Sequence, residues 1–153
     1  MQTYKACYRS EIGPIEIVGN QKGILNITFV EKTFRSNRNP PACMAECLRQ
    51  LDEYFKKKRR KFSVPLLLDG TAFQKTVWRQ LQKIPFGQTA SYGGVARAIG
   101  RPQAFRAVGN ANNKNRIPLI IPCHRVIGSD GKMVGFGSGI WRKEWLLDHE
   151  KNV

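Results

Sequence analysis

Apolar residues recur at two different spacings along this chain, strand-like near the start and helical after it, and any fold must satisfy both. Short apolar or alternating runs cover Tyr4 to Tyr8, Ile15 to Val18 and Ile24 to Val30. Gly13-Pro14 and Gly19-Asn20-Gln21-Lys22-Gly23 separate them, as turns separate antiparallel strands. Pro40-Pro41 then opens a segment in which Ala42, Leu48, Leu51, Tyr54 and Phe55 fall at helical spacing. Pro41 suits a first helical turn, where a missing N–H costs nothing. Phe62 to Asp69, ending at Gly70, has the look of a linker or short strand. From Thr71 the spacing is helical again: Phe73, Val77, Trp78, Leu81 and Ile84 make one stripe, Thr71 can cap it and Pro85-Phe86-Gly87 stops it. The expected architecture is α+β, a small antiparallel sheet with a helix in residues 1–68 and a mostly helical unit in residues 69–153.

The chain has 153 residues, enough to bury roughly two thirds of its unfolded surface without cross-links. Twenty-six Lys and Arg oppose 11 Asp and Glu, a formal charge of +15. Such an excess suits a polyanionic partner, because neutralising phosphates releases condensed counterions, and nucleic acid is the first reading; plain solubility is the alternative. Lys56 to Lys61 is the densest run, following the expected helix where a C-terminal cation is favoured, and it is first of all a solvated surface.

The four cysteines, Cys7, Cys43, Cys47 and Cys123, form no Cys-x-x-Cys pair, and the only histidines are His124 and His149. No metal site is expected. Cys43 and Cys47 share a helix face and read as two small buried thiols. No stretch is apolar enough to span a bilayer, so the expected setting is intracellular and reducing: cytoplasmic, or nuclear in a eukaryote.

Residues Thr89 to Ala111 suggest two short helices around a tight turn, with Ser91 capping the first, Gly100 ending it and Pro102 starting the second. Ala96 and Ile99 are expected to face inward with Phe105 and Val108. The second helix then presents Gln103, Ala104, Arg106, Ala107 and Asn110, and its small side chains would allow close approach to DNA. A helix-turn-helix and an ordinary helical hairpin are both compatible with this segment alone.

The run Ile117-Pro118-Leu119-Ile120-Ile121-Pro122-Cys123-His124-Arg125-Val126-Ile127-Gly128 carries two prolines that argue against a central strand, since each removes a ladder donor. It suggests a rigid, buried approach that presents Cys123 at a fixed point. A cysteine beside a histidine, with acids downstream, has the composition needed to generate a thiolate. A small buried thiol beside a hydrogen-bonded histidine is the competing reading of the pair by itself.

Pro122-Cys123-His124-Arg125-Val126 resembles the active-site signature of the O6-alkylguanine-DNA alkyltransferase family, and the resemblance extends to both sides. Upstream, the Tyr92 region and Arg106-Ala107-Val108-Gly109 resemble that family's DNA-binding unit, and Asn115, eight residues before Cys123, resembles its hinge asparagine. Downstream, Gly135-Phe136-Gly137-Ser138-Gly139 and Arg142-Lys143-Glu144-Trp145-Leu146-Leu147-Asp148-His149-Glu150 resemble its substrate loop and closing helix.

The resemblance implies a ribonuclease-H-like N-terminal lobe and a winged-helix-like C-terminal domain. It further implies irreversible, single-turnover transfer of an alkyl group from O6-alkylguanine, or O4-alkylthymine, in double-stranded DNA to Cys123. The base must be flipped out of the stack to be reached. By resemblance His124 takes the thiol proton through a water, Glu150 orients the imidazole, Asn115 holds the turn, and Lys143 stands near the site. Tyr92 pushes the phosphate backbone during rotation and, with backbone amides near Cys123 and Ser138, is a candidate to stabilise the leaving guanine, and Arg106 fills the gap. Gln103, Ala104, Ala107 and Arg101 complete the DNA face, and Val134, Gly135, Phe136, Gly137 and Ser138 line the substrate pocket with Cys123. Phe136 stands where many family members have tyrosine, which leaves alkyl-size preference open. No cofactor, metal or membrane partner is implied, and a monomer is expected. Two rivals differ in class: a non-catalytic reader of alkylated guanine, which would lack the nucleophile, and a Cys-His hydrolase, which would leave the basic charge and Arg106 unexplained.

Overall fold

A computed structural model of the chain describes residues 1–132 and 136–151. It divides into two compact units, Met1–Leu68 and Asp69–Val153. In the first, β1 (Tyr4–Ser10), β2 (Gly13–Asn20) and β3 (Gly23–Phe29) form an antiparallel sheet in that order. The first hairpin turns at Glu11-Ile12, because Ser10 pairs with Gly13 and Arg9 with Pro14. The Gly13-Pro14 pair expected to make the turn therefore lies inside the ladder.

Period-two alternation puts Ala6, Ile15, Ile17 and Ile27 in the core, where α1 (Ala42–Phe55) supplies Met44, Cys47, Leu51 and Tyr54. Gly19 permits this approach, since a β-carbon there would lie 3.3 Å from the Met44 side chain and 2.7 Å from the Gly23 carbonyl oxygen. The segment expected as linker or short strand makes one strand-like contact. The Ile24 N–H donates to the Pro65 carbonyl at 2.9 Å, and the Leu67 N–H to the Ile24 carbonyl at 2.8 Å.

The second unit begins with α2 (Ala72–Leu81), closed by a full capping box: Thr71 Oγ1 accepts from the Gln74 N–H, and the Gln74 side chain accepts from the Thr71 N–H. Trp78 on its buried face donates from Nε1 to the Ala111 carbonyl at 2.8 Å, fastening α2 to α4 (Phe105–Asn113). Between them, α3 (Tyr92–Ala98) starts at Ser91, whose Oγ accepts from the Gly94 N–H. It ends in a Schellman motif: Gly100 takes φ 77°, Gly100 N–H reaches the Arg97 carbonyl and Arg101 N–H the Ala96 carbonyl.

Two expectations for this helix pair are corrected. Pro102 does not start α4; residues 101–104 form a turn closed from the Ala104 N–H to the Arg101 carbonyl, and the helix opens at Phe105. Phe105 does not face inward either. It is the first helical residue and is 48% exposed, whereas Val95, Ala96, Val108 and Ala111 are buried.

A short 3-10 turn, Cys123–Arg125, is followed by β5 (Val126–Ile127), which pairs in parallel with β4 (Ala90–Ser91) just before α3. The chain closes with α5 (Ile140–Lys151). Among the described residues no helix is long and apolar enough to cross a membrane.

Arg125, buried, ties three of these parts together. Its Nε and Nη2 donate to the two Glu150 oxygens at 2.8 and 2.9 Å, and its Nη1 donates to the Ile84 carbonyl at 2.8 Å. Burial alone would raise the Glu150 carboxyl, but hydrogen bonds and positive charge from His124 and Arg125 outweigh it and hold the group well below the usual carboxylate range. A depressed folded-state value contributes stability that is present above the unfolded value of about 4.5 and lost as pH falls below it. Arg125→Met removes one partner of a buried pair and should lower the unfolding free energy by about 3–5 kcal/mol at neutral pH. It should also flatten the acid side of the stability profile. Denaturant titrations across the acid range check this, and a variant as stable and as acid-sensitive as the parent contradicts it.

Candidate active site and DNA-reading face

The approach to Cys123 is a doubled-back loop rather than a strand. Ile121 N–H donates to the Ile117 carbonyl at 3.0 Å, and Leu119, buried, takes a left-handed φ of 76°. A branched side chain in that region costs on the order of 1–3 kcal/mol and persists only where its surroundings fix it. Asn115 supplies part of that fixing: its Oδ1 accepts from the Ile117 N–H at 3.0 Å, and its Nδ2 donates to the Ile121 carbonyl at 2.8 Å. Pro122, at φ −79° and ψ 66°, then makes an inverse γ-turn in which the Cys123 N–H donates to the same Ile121 carbonyl at 2.7 Å. The rigid presentation of Cys123 thus comes from a clamped loop between two prolines.

The sulfur sits at the start of the 3-10 turn, and Cys123 is only 5% exposed. Burial pushes its thiol up to about 11, against the opposing pull of a hydrogen bond from Asn115, the Lys143 charge and the amides of Cys123 and His124. Lys143 is wholly buried, and its Nζ donates to the Val126 carbonyl. Desolvation brings its ammonium down to about 8, partly offset by the sulfur's charge. A lysine and a thiol buried together therefore shift toward each other.

His124 Nε2 lies 2.7 Å from Glu150 Oε2, and both side chains are buried. With the carboxylate ionised, this nitrogen carries the proton, so Nδ1 holds the lone pair; it is buried and bonded to no described residue. Burial lowers the imidazole's affinity for a second proton more than Glu150 raises it, so the ring is a neutral base. The arrangement is a nucleophile, a base and a carboxylate orienter.

The β4–β5 pairing, Ala90 with Val126 and Ser91 with Ile127, brings the helix-turn-helix to this site. Tyr92 follows Ser91 directly. It is half-buried, and burial followed by the negative charge of Cys123 keeps its hydroxyl protonated. Its ring lies over Gly109, where a β-carbon would stand 3.8 Å away. Arg101, Gln103, Arg106 and Ala107 are exposed and Ala104 is half-buried, all on the turn and first part of α4. Phe136 is buried, Gly137 exposed and Ser138 half-buried, in the turn that leads into α5. Val134 and Gly135 lie outside the described residues. A surface groove lined by Gln80, Lys83, Ile84, Pro85, Phe86, Gln88, Thr89 and Ala90 does not include Cys123.

Two residues were given no role by the sequence. Arg125 lies within the motif, and a cation in an apolar run implies a buried anion, which the fold supplies as Glu150. Asn112, on α4, is fully buried with neither amide atom hydrogen-bonded to a described residue. The spacing of α4 carried the signal, since Asn112 follows Val108 by four residues and falls on the stripe of Val108 and Ala111, while exposed Asn113 does not. Among the described residues no three His, Cys, Asp or Glu side chains group to hold a metal.

Residues 3–68 match the family model for the 6-O-methylguanine DNA methyltransferase ribonuclease-like domain, and residues 72–152 match that for the DNA binding domain. A methylated-DNA–protein-cysteine methyltransferase from Methanosarcina barkeri is 45% identical over 97% of this chain and 98% of its own length. The crystal structure of the Mycobacterium tuberculosis O6-methylguanine methyltransferase superposes with a TM-score of 0.87 at 42% identity, covering 98% of this chain and 93% of that one. An M. tuberculosis OGT solved in complex with DNA gives 0.85 at 44% identity, covering 95% and 91%. With both halves of the chain matched and a near-full-length relative at 45% identity, the chain belongs to the O6-methylguanine DNA methyltransferase family.

Proposed function

We propose that this chain repairs DNA by drawing an O6-alkylated guanine out of the duplex and moving its alkyl group, once per molecule, onto Cys123. The observation that carries the reading is a nearly buried thiol whose neighbours are a neutral histidine held by a carboxylate, a buried lysine and a clamping asparagine, in a chain of this family. The basic charge and the DNA complex of the M. tuberculosis relative support duplex DNA as the partner. O4-alkylthymine presents the same alkyl–oxygen bond on a base edge and is a second substrate on this reading. Free thiols suit a reducing, intracellular setting.

The thiol proton passes through a water to His124 Nδ1, the imidazolium being stabilised by Glu150. The Cys123 sulfur attacks the alkyl carbon; the carbon–sulfur bond forms as the carbon–O6 bond breaks, and the electron pair leaves with the purine. Guanine is a poor leaving anion, and the protonated Tyr92 hydroxyl with backbone amides near Cys123 and Ser138 can stabilise it. Asn115 and Lys143 favour the thiolate. The product thioether has no carbonyl for water to attack, so the cysteine is not regenerated. Arg106 enters the space left in the stack, where its planar guanidinium can stack and hydrogen-bond to the unpaired cytosine.

Incubation with duplex DNA containing O6-methylguanine should add one methyl group to Cys123 by mass spectrometry, in a burst equal to the protein present. Cys123→Ala should acquire none, and sustained turnover or an unmodified parent chain refutes the reading. Arg106→Ala should lose about tenfold or more on duplex substrate. It should react normally with free O6-benzylguanine, and equal losses on both rule out the assigned role. Lys143 is protonated below about pH 8, so its help to the thiolate is present there and lost as pH rises. Lys143→Met should therefore slow reaction with O6-benzylguanine by about tenfold near pH 7, the gap closing toward about pH 9. A gap that stays constant with pH would leave only a packing role for the lysine.

A further inference from the structure

Phe105 is half in water at the one place where the sequence calls for small side chains. It is the first residue of α4, between Ala104 and Arg106 in the segment that also carries exposed Ala107, and it is 48% exposed. A phenyl ring left in water forgoes burial that most aromatic side chains obtain, and a single exposed ring on a DNA-reading face has an available occupant. Its surroundings are cationic. The Arg106 guanidinium lies 5.9 Å from the ring centroid, and Arg97 and Arg101 are exposed nearby in sequence on the same helix pair. No acidic side chain occurs between Asp69 and Asp130 to repel phosphate.

We propose that Phe105 is a second, apolar wedge of the duplex interface, packing against the base step next to the gap that Arg106 fills. Consecutive helical residues project about 100° apart, so the ring cannot enter the same gap as the guanidinium and meets the neighbouring step. An apolar side chain pressed into a base step partly unstacks it and eases distortion, which is what rotation of a nucleotide requires. The wedge assists flipping without adding charge, and the proposal rests on duplex DNA being the partner.

The test uses the full chain, its Phe105→Ala and Phe105→Leu variants, and a short duplex carrying O6-methylguanine with 2-aminopurine at the adjacent position. Phe105→Ala should lose about tenfold in duplex affinity and transfer rate, the range found when a base-stacking aromatic is truncated. The slope of affinity against salt should not change, since no phosphate contact is lost, and the 2-aminopurine signal on binding should fall. Phe105→Leu should recover part of the loss. Reaction of Phe105→Ala with free O6-benzylguanine should match the parent, which shows that the cysteine site is folded. Duplex affinity and fluorescence equal to the parent's overturn the wedge, as does an equal loss on both substrates. The binding arms read the wedge whether or not methyl transfer occurs, so a parent chain that binds DNA but transfers nothing strikes the reaction alone.

Discussion

Glu150 is a carboxylate buried on the last turns of α5, and the active end of the second unit is arranged around keeping it ionised there. An isolated buried carboxylate would take up a proton; here the Arg125 guanidinium occupies both oxygens, and His124 shares one of them. Arg125 Nη1 donates to the Ile84 carbonyl, in the chain leaving α2. One residue on α5 thus fixes the 3-10 turn that carries the cysteine, the tautomer of its neighbouring histidine and the end of another helix. Breaking this network would do more than misplace a base. It would release the element on which Cys123 is mounted.

The sulfur's environment works against ionisation at rest. Burial drives the thiol up to about 11, and neither Asn115, Lys143 nor the two amides bring it back to the free value. A resting thiolate would react with any small electrophile. A protonated thiol beside a neutral imidazole stays inert until an alkyl carbon is in line and the proton has somewhere to go. Lys143 shows the same compromise from the cation's side, lowered to about 8 yet still mostly protonated at neutral pH. The site holds its charges in potential form, and substrate placement decides when they appear.

Strand and helix locations were legible wherever the apolar period was regular: β1 to β3, α1 and α2 lie close to the runs that announced them. Local exceptions defeated the reading. The first hairpin turns at Glu11-Ile12, because a two-residue loop is set by strand register and Gly13-Pro14 tolerates pairing. Pro102 favours a first helical turn, but the turn after the Schellman motif consumes residues 101–104 before α4 can start. Phe105 is expected inward with Ala96, Ile99 and Val108, but it opens α4 at the edge of that packing and stays half exposed. In the site, Cys123, His124, Asn115 and Glu150 were legible through the motif. Arg125 was not, since the resemblance gave it no role and its one clue, a charge inside an apolar run, pointed to the same Glu150 already paired with His124.

The link between DNA reading and chemistry is short. Two residues of β4 pair with two of β5, so Ser91, which caps α3 and precedes Tyr92, is in register with Ile127, close behind the cysteine turn. An isolated ladder of this length would not hold. It holds here because both strands are anchored at their ends, β4 by the cap of α3 and β5 by the Lys143 ammonium on the Val126 carbonyl. A displacement of α3 by a duplex therefore has no flexible segment in which to dissipate before it reaches Tyr92 and the turn bearing Cys123. The packing of the Tyr92 ring over Gly109 extends the same constraint from α3 to α4. In the proposed reaction, a base rotated by contacts on α4 is delivered in a fixed relation to the Cys123 sulfur, which a lone cysteine on a mobile loop could not ensure.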